Sequence, residues 1–324
     1  MRAVICDRYG PPEVLAVREV ANPLPKDDEI LVRNMASTVS SADCRVRAMK
    51  IPVGFGVLAR LAFGVHKPRQ PILGGDLAGE VVAVGCGVSR FKAGDRVFAM
   101  SGARMGCHAE YVCVPENGNV TLMPARLTFE EAAALLFGGT AALDFFRRGK
   151  LVRGEKVLVN GASGAVGSAA VQLARHFGAE VTGVCSTANA SLVKSLGAHR
   201  VIDYVKEDFT KCGETYDVIV DPVGTAPFRR SRAALREGGR LLQVLAGLPD
   251  ILQGLWGSIG DSRRIIAGPA TERREDLLLL AHLAEVGQFK PVIDRVYPME
   301  RIVEAHGYVD GGHKRGNVIV TLTA

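Results

Sequence analysis

The chain predicts an α/β protein in two domains: a doubly wound parallel sheet inserted into a smaller β-rich domain built from both chain ends. Three observations carry that expectation. Lys156 to Val184 reads as strand, glycine-rich turn, helix and strand; the segment after it keeps alternating apolar runs with helical patterns; and the first 125 residues hold short β runs divided by Gly, Pro, Asn and Asp. A last apolar run, Asn317 to Leu322, reads as a strand returning to the first domain. The expected boundaries are therefore 1–125 completed by 269–324 for the β-rich domain, and 126–268 for the inserted one.

Taken in order, Ala3–Cys6, Glu29–Ala36, Gly79–Val84, Arg96–Met100 and Ala109–Val114 are the expected strands of a compact barrel or distorted sandwich. Pro115, Gly118 and Pro124 punctuate its end. Thr128-Phe-Glu-Glu131 has the form of a capping box, so a helix is expected from Thr128. Lys156–Asn160 is short and apolar, as suits a buried parallel strand. Val166, Ala169, Ala170, Leu173, Ala174 and Phe177 then recur at helical spacing until Gly178, and Glu180–Val184 supplies the next strand. Beyond it the expected elements are a helix at Ser191–Leu196, strands at Arg200–Asp203 and Asp217–Asp221, and a helix at Phe228–Leu235. Strands at Arg240–Leu245 and Arg264–Ala267 and an amphipathic helix at Glu272–Gly287 follow.

The turn from Gly161 to Gly167 places Ala162, Gly164 and Gly167 at the three small-residue positions of a dinucleotide fingerprint. Those positions serve a tight turn, a close backbone approach to pyrophosphate, and close packing of helix on sheet. The first glycine of the pattern is alanine here. Strand, helix and second strand nevertheless sit at the required spacing, which favours cofactor binding over a turn that merely packs. The second strand runs out in Val184-Cys185-Ser186-Thr187, with no carboxylate to hold a ribose 2′-hydroxyl. Ser186, Thr187 and Asn189 offer short hydrogen-bonding side chains and Lys194 follows, which favours NADPH over NADH; the same residues also suit a helix cap near Asn189.

A hydrophobic content of 48% suits packed cores. Lys and Arg number 40 against 34 Asp and Glu, a net +6 that is spread out, without a basic run or an aromatic-interleaved patch, so nucleic acid is not an expected partner. The seven cysteines are singletons with no C-x-x-C, which points away from a disulfide framework or a zinc clip and toward a reducing cytoplasm. The opening MRAVICDRYG has no apolar signal region, and the apolar stretch Ala132–Phe146 is broken by Gly138, Gly139 and Asp144. Neither a membrane span nor a membrane partner is expected.

The stretches Gly74–Gly85 (GGDLAGEVVAVG), Phe91–Phe98 (FKAGDRVF), Gly161–Gly167 (GASGAVG), Ser195–Ala198 (SLGA) and Val201–Tyr204 (VIDY) resemble, in this order, motifs of the medium-chain dehydrogenase/reductase superfamily. Within it the chain is similar to the zinc-independent quinone oxidoreductase (zeta-crystallin-like) branch, over a span from the first strand to Gly316-Asn317. The resemblance implies a GroES-like catalytic domain, an inserted Rossmann domain, a cleft between them, and a homodimer.

Departures from the superfamily pattern bear on the chemistry. Gly74-Gly75-Asp76 stands where the zinc alcohol dehydrogenases have Gly-His-Glu, and Phe137-Gly138-Gly139 stands near their second cysteine. Cys44 lies near the first ligand position, but one thiol is not a site, so no metal is expected. Without a Lewis acid to acidify an alcohol, the coherent acceptors are already electrophilic: quinones and α,β-unsaturated carbonyls.

In the family an Asn of a V-N-P-x-D segment lies by nicotinamide and substrate. This chain reads Val39-Ser40-Ser41-Ala42-Asp43, so Ser40 is the candidate for orienting substrate or nicotinamide, with Asp43 beside it; loop and capping chemistry stay open for both. Arg45, Arg47 and residues 51–66, with Phe55, Leu58, Leu61 and Phe63, read as the wall of an acceptor pocket or as core. By resemblance, Ser163, Gly164, Ala165 and Val166 contact pyrophosphate through their backbone. Ser186, Asn189 and Tyr204 surround the adenosine phosphate end, and Thr140, Leu245 and Asn317 approach the nicotinamide. The family's Gly-Gly-Leu-Thr is Gly138-Gly139-Thr140 here, which shifts the hydroxyl by a residue. His66, His108 and His306 stand apart in sequence and read as surface or structural residues. The expected function is NADPH-dependent reduction of a quinone or an enal or enone; an enoyl or alkenal reductase of narrow scope, and an NADPH-binding protein without turnover, are the alternatives.

Overall fold

The structure, a computed structural model, describes residues 1–257 and 262–322. The remaining positions of the two expected domains lie outside the described residues. Six strands lie side by side in the order Arg200–Asp203, Glu180–Cys185, Lys156–Asn160, Tyr216–Asp221, Leu235–Gln243, Arg264–Ala267, and every pairing is parallel. This is the 3-2-1-4-5-6 order of a Rossmann domain, whose direction reverses between Lys156–Asn160 and Tyr216–Asp221. Alternation along the central strands divides two cores. Val157, Val159, Val218 and Val220 face the helices Phe129–Arg148 and Ala165–His176, while Leu158 and Ile219 pack on the opposite side with Phe209 and Phe228.

The second sheet runs Ile293–Pro298, Asn317–Thr321, Glu29–Thr38, Asp76–Val84, Arg96–Met100, Asn119–Leu122, with Tyr111–Pro115 also paired to Glu29–Thr38. Asn317–Thr321 joins Glu29–Thr38 antiparallel through Ile319 opposite Thr38 and Thr321 opposite Ala36. The late strand thus completes a sheet that the early residues begin, as the sequence suggests.

Thr128 and Glu131 form the capping box: Glu131 N donates to Thr128 Oγ1 (3.2 Å) and Thr128 N to Glu131 Oε2 (3.0 Å). The helix that follows, Phe129–Arg148, sits unusually close to the N-terminus of Ala165–His176. A Cβ on Gly138 would lie 2.8 Å from the carbonyl carbon of Ala165 and 3.3 Å from Val166 N, so only glycine fits this crossing.

The chain departs from the sequence expectation in several places. The expected helix Phe228–Leu235 is one α turn, Phe228–Ser231, and a tighter turn, Arg232–Ala234. The strand after it starts at Leu235, because Leu235 already pairs with Tyr216 before a bulge carries the chain to Arg240 opposite Val218. Helices Ser41–Ala48, Gly56–Phe63, Leu248–Gly257 and Ile302–Asp310 were not anticipated; Gly54, Gly56 and Gly64 make the second of them read as loop. Among the described residues no helix is long and apolar enough to cross a membrane.

Candidate cofactor and acceptor site

The glycine turn lies at the point where the parallel sheet reverses direction. Gly161 has φ 70°, and a Cβ on Gly167 would lie 2.8 Å from the carbonyl carbon of Gly161 and 2.9 Å from Cα of Ala162. Ala162 is fully buried, and opposite it a Cβ at Gly183 would come within 3.0 Å of the alanine methyl. The missing side chain at Gly183 makes the room that Ala162 fills, so the altered fingerprint keeps its shape. Gly164 is the N-cap of the 12-residue helix Ala165–His176 and offers no side chain to its first-turn N–H groups. Those donors and the positive end of the helix suit an anionic group.

Among the residues that the resemblance assigns to adenosine, Asn189 Nδ2 donates to Ser163 Oγ (3.0 Å), tying the second loop to the turn. Ser186 is half-buried, and its hydroxyl makes no hydrogen bond among the described residues. Tyr204 is 57% exposed. Sequence reasoning missed Asp203: the second strand ends without a carboxylate, but the third brings one alongside, where Thr187 Oγ1 donates to it and Lys206 Nζ stands 3.8 Å away. The Thr187 hydrogen bond, above the other causes, holds this carboxyl below its usual range.

On the other side of the reversal point, Asp221 is fully buried and organises the loop after its strand. Its oxygens accept from the N–H groups of Val223 (3.2 Å), Gly224 (3.0 Å) and Ala226 (2.8 Å), and from Asn160 Nδ2 (2.9 Å). Turn chemistry is thus its occupation. Gly224 in turn lies against Leu245.

Two backbone contacts meet here, the first between the domains and the second within the β-rich one. Gly316 N donates to Ser163 O (2.7 Å), and Val39 N donates to Val318 O (2.8 Å). They set the residue before Ser40 against the strand Asn317–Thr321, and the residue before that strand against the glycine turn. Lys314, which sequence reasoning also missed, is partly buried beside them and donates from Nζ to Gly316 O (2.6 Å); burial pushes its ammonium down to about 8. Asn317 spends its amide on Ala134 O (3.0 Å) and Val292 O (3.1 Å), and Thr140 Oγ1 donates to Leu136 O (2.9 Å) within its own helix.

Ser40 and Asp43 form a reciprocal cap of Ser41–Ala48. Asp43 Oδ2 accepts from Ser40 N (2.8 Å) and Ser40 Oγ (2.5 Å), while Asp43 N donates to Ser40 Oγ (3.2 Å). Arg47 does not wall a pocket: it is 1% exposed and paired with Asp310 at 2.5 Å. Nor are Leu58 and Leu61 core, since they are 61% and 55% exposed; Phe55 and Phe63 are half-buried.

Behind the Ser40 loop lies a buried polar cluster. Asp76 accepts from Thr38 N (2.7 Å) and Thr38 Oγ1 (2.6 Å), yet burial pushes its carboxyl up to about 7. His108 Nε2 lies 3.0 Å from Thr38 O, so that nitrogen carries the proton. His306, 5.9 Å away edge to face, holds its Nδ1 3.3 Å from Cys44 Sγ. Burial raises the thiol and lowers the imidazole, so both are neutral and the S–H donates. The histidines that stand apart in sequence therefore meet in space. Among the described residues, no three His, Cys, Asp or Glu side chains come together to hold a metal ion.

A cavity of about 880 Å³ between Arg175, Lys194 and Lys290 lies at the far end of the cofactor helix, away from the glycine turn. It is not the cofactor site.

Residues 26–125 match the family of alcohol dehydrogenase GroES-like domains, and residues 196–320 that of zinc-binding dehydrogenases. The chain is 34% identical over 332 residues to a quinone oxidoreductase of Sus scrofa, covering 98% of this chain and 95% of that protein. It is 33% identical over 332 residues to a 2-methylene-furan-3-one reductase of Solanum lycopersicum, covering 99% and 79%. Among solved structures, the quinone oxidoreductase from Coxiella burnetii matches with a TM-score of 0.88 and 27% identity, over 100% of this chain and 99% of that one.

Proposed function

Because the chain belongs to the medium-chain dehydrogenase/reductase superfamily, in its quinone oxidoreductase branch, we propose that it is an NADPH-dependent reductase of quinones or α,β-unsaturated carbonyls that works without zinc. The observation that carries this reading is the uncapped helix Ala165–His176 behind a turn that admits no side chain at Gly167. Such a turn leaves backbone donors for a dinucleotide and little use as a mere connector.

When bound, NADPH supplies a hydride to the acceptor. The chain's own residues hold and aim it. First-turn N–H groups receive the pyrophosphate, and Lys314 stands beside Gly316 as the nearby cation. Ser186, whose side chain makes no cap, is our candidate for the ribose phosphate. Ser40 and Asp43 act as a pair: their mutual hydrogen bonds fix the loop against the Asn317–Thr321 strand and so set the acceptor's approach. The zinc-free reading is supported by the donor set, in which Cys44 is occupied by His306 and Asp76 by Thr38. Seven free cysteines support a reducing, cytoplasmic setting. The strand Arg264–Ala267 ends the parallel sheet among the described residues, and an open edge of this kind supports a homodimer. The boundaries 1–125 with 269–324, and 126–268, remain our division of the chain into catalytic and cofactor domains.

The test is a panel of 1,2- and 1,4-quinones, enals and enones with NADPH, followed at the nicotinamide absorbance. Turnover of quinones supports the reading, turnover of enals alone selects the reductase of narrow scope, and tight binding without turnover refutes an enzyme. Stoichiometric zinc together with loss of activity to a chelator would refute the metal-free site. Ser186→Asp is expected to damage use of NADPH more than NADH; an unchanged ratio removes Ser186 from the phosphate site.

A further inference from the structure

Beside the acceptor loop lies a surface with the composition of a membrane-contacting face, and we propose that the protein docks there onto an anionic lipid bilayer. A helix on a protein surface ordinarily turns its apolar side inward. In Gly56–Phe63 the inward side is Ala59 with Phe55 and Phe63, but the outward side is aliphatic as well: Val57, Leu58 and Leu61 are 73%, 61% and 55% exposed. Val53, 74% exposed, extends the patch, and across the cleft mouth Leu248 N donates to Val53 O (2.8 Å). Leu248 and Leu252, 39% and 47% exposed, continue the same face from the cofactor domain. Single exposed aliphatics are ordinary; six from two elements that meet are an interaction surface.

Charge selects the partner. Between Asp43 and Asp76 the chain has no acidic residue and six Lys or Arg, an excess equal to the net +6 of the whole protein. Arg47 is spent on Asp310, whereas Arg60 within the helix and Lys50, Lys67 and Arg69 on the segments that flank it are exposed. On the neighbouring helix, Asp250 turns its carboxylate back to accept from Gly247 N (2.9 Å). Aliphatic side chains ringed by cations fit the boundary between acyl chains and anionic headgroups. A second copy of the chain is a poorer occupant, because a two-fold contact would set each cation against like charge. Nucleic acid would meet aliphatic side chains where stacking calls for aromatic ones. These cations lie within one stretch of the chain, residues 45–69, and the fold sets that stretch beside the aliphatic side chains of Leu248 and Leu252. Docking in this orientation would open the cleft mouth toward acceptors dissolved in lipid, although the contact itself does not depend on the acceptor.

The full chain is sedimented with phosphatidylcholine vesicles and with mixed phosphatidylcholine and phosphatidylglycerol vesicles. Binding is expected to the anionic vesicles only and to fall with added salt. Lys50→Gln with Lys67→Gln should weaken it roughly 25-fold, at about 1 kcal/mol per removed cation. Val57→Asp should weaken it independently. All three positions are exposed, so melting temperatures should not move. No binding to anionic vesicles, equal binding to both lipids, or equal binding by the variants overturns the proposal. So does a change of oligomeric state in Val57→Asp when the wild type ignores vesicles, which would make the face a contact between copies. Turnover of a water-soluble quinone, measured in parallel, separates the two claims: activity without vesicle binding sinks docking alone, and vesicle binding without activity sinks the enzymatic reading alone.

Discussion

If Lys314 faces the cofactor phosphates, affinity for NADPH must fall as pH rises through the alkaline range, and by an amount that can be worked out. Burial holds the free protein's ammonium at about 8, against the opposing influence of Asp294. A pyrophosphate at the Ser163–Gly164 turn, which is joined to Lys314 through Gly316, favours the charged form and raises that value. Binding then takes up a proton. If the ordinary lysine value of about 10.5 is restored, affinity drops about tenfold between pH 7 and pH 9. Lys314→Gln should bind more weakly at pH 7 and lose this slope. The assay is a nicotinamide fluorescence titration at constant ionic strength. Stability should run the other way: the folded value lies below the unfolded one, so burial of the charge penalises the fold fully below about pH 8, and the penalty lifts as pH rises toward the unfolded value. A flat affinity profile, or the same slope in the variant, would remove Lys314 from the phosphate site.

Substitutions at three further positions probe the frame around it. Asp76, raised to about 7 by burial, binds a proton more tightly folded than unfolded, so the wild type should lose roughly 3 kcal/mol relative to Asp76→Asn between pH 5 and pH 8 in urea unfolding; parallel profiles would contradict this. Gly167→Ala puts a methyl 2.8 Å from the carbonyl carbon of Gly161, which forces a shift of the turn. The expected losses are ~1–3 kcal/mol of stability and about a hundredfold in NADPH affinity by the same titration. Asp221→Ala strands three backbone N–H groups and leaves Asn160 Nδ2 only its hydrogen bond to Thr225 Oγ1 (2.9 Å), and should cost ~3 kcal/mol or more, with Asp221→Asn milder because it keeps one acceptor oxygen; equal unfolding midpoints for the two would refute the role given to the carboxylate.

What was legible in the sequence, and what was not, divides by the range of the interaction. Val166 to Phe177 announces its helix because one buried face repeats every turn, and Thr128 with Glu131 announces another because a capping box closes within four residues. Ser40 and Asp43 carry the same local signature, and it was outweighed by a resemblance that assigned the position to substrate. Ala162 looked like a damaged fingerprint since its compensation, Gly183, lies on the next strand. Asp203 and Lys314 escaped for a related reason. A motif of the second strand's end cannot see a carboxylate delivered by the third, and nothing near Lys314 in sequence reveals that Gly316 will pair with Gly164. The charges assigned to the proposed cofactor site thus come from chain-distant segments brought together only when both sheets exist. The fold could thus be read from periodicity, while the expected preference for NADPH was drawn without sight of the two charged groups that bear on it. The direct check is to alter Asp203 and Ser186 separately and together: if the two changes act on the NADPH to NADH ratio additively, the third strand's carboxylate does not share the site, and coupling between them places both at the same ribose.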